Sequence, residues 1–140
     1  MDPVKKHADS RAAASALRQA TRGLLYMSES DEPFKVVQVG ELAGAFGAAD
    51  ACLVARRPAD SLVRQQGIEE FFGELVQERD WYGPSEIKDA RRYQALWHYF
   101  RDSLAGATVF RVGELQVDII IAGRASDGHW VGVKTRAIET

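Results

Sequence analysis

Near residue 108 the apolar pattern of this chain changes period. From Ser85 to about Leu104, the residues Ile87, Ala90, Tyr93, Leu96, Trp97, Phe100 and Leu104 recur at helical spacing, which makes one apolar face of a long helix. Glu86, Lys88, Asp89, Arg91, Arg92 and Arg101 occupy its other face, Ser85 offers an N-terminal cap, and Gly106 lies just past its end. Beyond it the period is two. Thr108–Val112 runs into Gly113-Glu114, a pair suited to a type II′ hairpin turn. Leu115, Val117, Ile119 and Ile121 then alternate onto one predicted face, Ser126-Asp127-Gly128 supplies a second tight turn, and "HWVGVKTRAI" returns as a last strand. The C-terminal third therefore reads as a three-strand antiparallel meander preceded by helices.

The first two thirds are less regular. Ala13, Leu17, Ala20 and Leu24 form an apolar stripe, with Asp2-Pro3 or Asp9 as possible helix starts and Gly23 as a stop. The acidic stretch Ser28-Glu29-Ser30-Asp31-Glu32 reads as a loop closed by Pro33, and Phe34–Val39 as a strand. In 40–57 only "ELAGAF" suggests a short helix, weakened by Gly44 and Gly47. Leu62–Gln65 suggests a short strand, Ile68–Glu78 a helix with Ile68, Phe71, Phe72 and Leu75 on one face, and Asp80–Ser85 a turn. The class is α+β, in one domain spanning 1–140, with helices expected on both faces of the sheet.

Charge and cysteine usage narrow the function. The net charge is −2, with basic residues interleaved among acids, so no basic stripe points to direct nucleic-acid binding. The arginines near aromatics in "DARRYQALWHYFR" read as a solvated helix face. Cys52 stands alone among Ala51, Leu53 and Val54, a pattern of a small buried residue. It excludes an intramolecular disulfide and a cysteine zinc cluster. No run approaches membrane-spanning length and no signal-like apolar segment opens the chain; the expectation is a cytoplasmic protein, with no membrane partner.

Catalytic signals are sparse. His7, His98 and His129 lie far apart in sequence, unlike a metal-binding pair. Glu29 and Asp31 are close enough to share acid–base work, yet no histidine or lysine adjoins them, and a solvated loop is the plainer reading. No cofactor is expected. Glu139-Thr140 closes a predicted strand, and a terminal threonine carries a carboxylate and a hydroxyl, hard donors for a divalent cation.

Three stretches resemble the nuclease A inhibitor-like family, bacterial inhibitors of sugar-non-specific DNA/RNA endonucleases: "GLLYMSESDEPF", "DWY" and "VFRVGELQVDIIIAGRASDGHWVGVKTRAIET". The resemblance implies a three-layer α-β-α sandwich and a non-enzymatic inhibitor, expected to be monomeric when free. It implies that Glu29 is the acidic anchor, flanked by Ser28, Ser30 and Asp31. Trp81 is the implied aromatic contact. Thr140, preceded by Glu139, is the implied ligand to the divalent metal held by the partner nuclease. Segment 40–66 departs from the family pattern, which motivates an alternative: a module of the same fold that binds a different protein without inhibiting a nuclease. A small enzyme pairing Glu29 with an arginine is the third reading.

Overall fold

The computed structural model describes residues 7–139, so the Asp2-Pro3 helix start and Thr140 lie outside the described residues. The first helix, α1, spans Ser10–Thr21. Asp9 starts it: its carboxylate accepts the Ala12 N–H at 2.8 Å, satisfying a donor that a helix start leaves open. Two three-residue strands follow, β1 (Leu25–Met27) and β2 (Asp31–Pro33), and then β3 (Lys35–Glu41). The acidic stretch is thus only partly a loop, because Asp31–Pro33 pairs antiparallel with Leu25–Met27.

The short helix expected at "ELAGAF" lies further on, as α2 (Ala48–Ala55). Glu41 still belongs to β3, and Gly47 begins the helix with its N–H held by the Asp50 carboxylate at 2.9 Å. Ala51, Cys52 and Ala55 are its buried face. The strand β4 (Val63–Gln66) and the helices α3 (Ile68–Leu75) and α4 (Pro84–Ser103) come next. Gly83, rather than Ser85, caps α4. Proline at the first helical position loses no needed N–H, and Glu86 accepts the Gly83 N–H at 3.1 Å. All seven residues of the expected α4 stripe are buried or half-buried.

The meander is β5 (Ala105–Val112), β6 (Gln116–Arg124) and β7 (His129–Ile138). Together the strands build a five-stranded antiparallel sheet in the order β3-β7-β6-β5-β4, with β1 and β2 as a separate pair. Among the described residues the architecture is mixed α+β with four helices. The β5–β6 connection is longer than a two-residue turn, since Val112 pairs with Asp118. Gly113, at φ 107°, leaves room there for the Arg57 guanidinium, where a Cβ would clash. Arg57 donates to the Gln116 carbonyl and to Asp118, each at 2.8 Å. The wider loop leaves Leu115 exposed, off the core face it was expected to share with Val117.

Two apolar clusters use alternate residues of the same strands. Val109, Val117, Ile119, Ile121, Val131 and Val133 pack with residues of α1, α3 and α4. Phe110, Val112, Ile120, Ala122 and Trp130 pack with Phe46 and residues of α2. The central strand β6 is therefore buried continuously from Val117 to Gly123, which is why "VDIIIAG" is nearly apolar throughout.

Candidate partner-binding edge

A two-stranded ribbon of three-residue strands is marginal alone. Here the β1–β2 ribbon is pinned along its length. Tyr26 stacks on Phe71 of α3, with ring centroids 5.8 Å apart. The Tyr93 hydroxyl of α4 donates to the Leu25 carbonyl at 2.8 Å, and burial raises the pKa of that phenol. From the sheet, the Thr135 hydroxyl donates to the Pro33 carbonyl at 2.9 Å.

The tip of the ribbon is Ser28-Glu29-Ser30. Its turn is closed by the Ser28 N–H donating to the Ser30 carbonyl at 2.9 Å. The Ser28 Oγ accepts the Ile138 N–H at 3.0 Å, and the Glu29 N–H points to the Ile138 carbonyl at 3.5 Å. Residues 110 positions apart are thereby joined. Glu29 and Asp31 are exposed at this tip, whereas Ser30 is half-buried and its hydroxyl reaches Glu32 at 3.2 Å.

On the other flank of the β7 end, the Glu139 N–H donates to the Leu115 carbonyl at 2.8 Å. The Glu139 carboxylate pairs with Arg111 of β5, whose side chain is only 13% exposed. Sequence reasoning missed Arg111, although a signal was present. It shares the alternation of Val109, and a cation on an apolar face needs an anionic partner. Ser28, Glu29, Ser30 and Glu139 are thus gathered at one end of the sheet, with Asp31 next in the ribbon. Thr140, the residue after Glu139, lies outside the described residues.

Trp81 stands elsewhere, on the connection between α3 and α4, and is 78% exposed. Its described neighbours are local: Tyr82 edge-on at 6.1 Å and the Arg79 guanidinium 6.0 Å from the ring. Arg79 is itself held by Glu74 at 2.6 Å, which steadies that cation beside the indole.

Among the described residues no group of three or more His, Cys, Asp or Glu is placed to hold a metal ion. The buried carboxylate is Asp118, and its oxygens are taken by Arg57 at 2.8 Å and Arg136 at 3.4 Å. That pairing satisfies a charge inside the sheet. Cys52 is buried in the α2 cluster.

The nuclease A inhibitor-like protein family (NuiA) matches residues 11–140. The chain belongs to that family. A search of curated proteins returns no match. The nuclease A inhibitor-like match spans the ribbon, the Trp81 connection and the whole five-stranded sheet. It includes segment 40–66, which in this chain of the family builds α2 and β4.

Proposed function

We propose that this chain is a protein inhibitor of a sugar-non-specific, metal-dependent endonuclease, and that it acts by occupying the nuclease active site without turnover. The observation that carries this reading is the hydrogen-bonded union of the acidic tip with the end of β7. A nuclease cleft holds phosphates with basic groups and a divalent cation. A surface that competes for it needs carboxylates held at fixed positions, because rigid anions forfeit less entropy on binding than mobile ones.

In this reading Glu29 takes the place of a phosphate against basic groups of the cleft, with Asp31 adding to the field. Thr140 is the metal ligand, through its hydroxyl and, where the chain ends there, its carboxylate; both are hard oxygen donors suited to Mg²⁺, Mn²⁺ or Ca²⁺. The metal belongs to the nuclease. Ser28, Arg111 and the Leu115 carbonyl serve as holders, since each bonds the β7 end. Trp81 is a separate aromatic anchor of the kind enriched at interface hot spots. The protein acts as a monomer in the cytoplasm; no described helix is long and apolar enough to cross a membrane.

The test is a titration of the protein into an active, Mg²⁺-loaded sugar-non-specific endonuclease. The native protein abolishes cleavage at stoichiometric ratio. A version extended past Thr140 by a few glycines inhibits far less while melting at the same temperature. Equal inhibition by the extended protein removes metal ligation from the account and leaves blocking by Glu29 and Trp81.

A further inference from the structure

On the α2 side of the sheet the apolar cover stops short. Ile120, Ala122 and Trp130 pack with Phe46 and α2, but α2 has only eight residues. Beyond that cover the same face carries charge. Lys35 lies directly opposite Lys134 in the β3–β7 pair. In the β6–β7 pair Lys134 is opposite Ile120, and Arg136 is opposite Asp118. Side chains alternate along a strand, so Lys35, Lys134, Arg136 and Asp118 share the face of Ile120. With Glu32 and Pro33 of the ribbon they line a recess of about 150 Å³.

Like charges directly opposite each other destabilise a sheet, whereas alternating signs would stabilise it. Lys35 and Lys134 have no carboxylate partner among the described residues. The Lys134 ammonium reaches only a neutral acceptor, the Val54 carbonyl, at 3.4 Å. Asp118 is shared between Arg57 at 2.8 Å and Arg136 at 3.4 Å. Glu32 accepts the Ser30 hydroxyl at 3.2 Å. Around the recess, four cations (Lys35, Arg57, Lys134 and Arg136) thus meet two carboxylates (Asp118 and Glu32), an excess of two positive charges. Other acids do not cancel it. Asp50 holds the Gly47 N–H at the start of α2, and Glu139 pairs with Arg111 on the opposite face, beside Ile119. Glu29, Asp31 and Glu114 do not line the recess.

We propose that this recess binds a phosphate group, either inorganic phosphate or the phosphate of a nucleotide. Such a group carries about −1.5 to −2 charge at neutral pH, which matches the local excess. Lys35 and Lys134 act on it as point charges, and Arg136 keeps N–H donors beyond the one that Asp118 takes. The recess is well below the roughly 300 Å³ at which pockets for larger organic ligands begin. A phosphate enters it, and the rest of any nucleotide stays outside. A bound phosphate relieves the repulsion between β3 and β7 and thereby favours the folded chain. The site lies apart from the acidic tip and does not rest on the inhibitor reading.

The test is calorimetric titration and thermal melting of the full chain with sodium phosphate, adenosine 5′-monophosphate or sodium chloride, at neutral pH and constant ionic strength. Phosphate is expected to raise the melting temperature as its concentration increases and to shift the amide resonances of Lys35, Lys134 and Arg136. Chloride does neither. The Lys35→Gln/Lys134→Gln pair is expected to bind phosphate about tenfold more weakly or worse, having lost two charge-assisted contacts. Lys88→Gln, at an exposed position on α4, binds as wild type. Where the pair disturbs the fold, Lys35→Gln alone, at an exposed position on an edge strand, gives the same comparison. Tighter binding of the nucleotide than of phosphate supports the site with a phosphate ester as its source; equal or weaker binding supports it with inorganic phosphate. Undiminished phosphate binding by the glutamine variants, or a wild type indifferent to phosphate, overturns the site.

Discussion

The Ser28 hydroxyl oxygen accepts the backbone N–H of Ile138 at 3.0 Å. Together with the Glu29 N–H directed at the Ile138 carbonyl, this bond ties the tip of a small ribbon to the last strand of the main sheet. Ser28→Ala removes the acceptor and is expected to lower stability by about 0.5–1.5 kcal/mol, the ordinary net worth of a hydrogen bond. Amide exchange at Ile138 should accelerate, while exchange in β6 stays unchanged. Unaltered protection at Ile138 would show that other bonds hold the tip.

Glu29 tests the acidic anchor directly. Glu29→Gln keeps the shape and removes the charge. Binding to the nuclease should weaken by roughly 2–5 kcal/mol if the pair is desolvated, with the loss in the off-rate. Asp31→Asn should cost less. Equal affinity of wild type and Glu29→Gln would reduce the tip to a solubilising turn.

Ile119 lies at the centre of β6 and is fully buried beneath the α1, α3 and α4 side chains. Ile119→Ala should cost about 2–5 kcal/mol, from lost burial plus the cavity left behind. Urea melts read this as a lower midpoint with little change in slope. A loss below about 1 kcal/mol would mean that the site collapses around the missing atoms.

Tyr93 makes a pH prediction. Burial first, and nearby Tyr26 and Asp89 second, raise its pKa above the ordinary phenol value of 10.0. A group whose folded pKa is raised contributes stability that is complete below the unfolded pKa and fades as pH climbs toward the folded one. Stability should therefore decline above about pH 10. Tyr93→Phe should be about 1 kcal/mol less stable at neutral pH, having lost the bond to Leu25, and its alkaline decline should be shallower. Parallel pH curves for the two proteins would rule out Tyr93 as the source.

Several features were readable before any tertiary structure was known. The α4 stripe and the meander follow from local rules, because a helix repeats every 3.6 residues and a strand every two, and Asp9 was one of the two starts that local capping chemistry offered for α1. The family resemblance was also legible, carried by stretches that keep their order along the chain. What the sequence left open lies where local pattern is weak. The strands β1 and β2 are three residues each, and one contains proline, so neither is long enough to show a period. The α2 helix begins at a glycine whose cap is the Asp50 side chain, and the glycines before it dilute the helical signal.

The sequence by itself determined the class of fold, the central meander and the identity of the acidic stretch. Only the tertiary structure decided what that stretch is attached to. Ser28 and Ile138 are 110 residues apart, and Arg111 and Glu139 are 28 apart. No periodicity encodes such pairs, since they depend on strand order and register. The antiparallel sheet brings the end of β7 beside the β5–β6 loop, and the Tyr26–Phe71 and Tyr93–Leu25 contacts hold the ribbon on its other side. An acidic loop in the sequence thereby becomes the rigid tip of an edge, because distant segments restrict it far more than its own residues do.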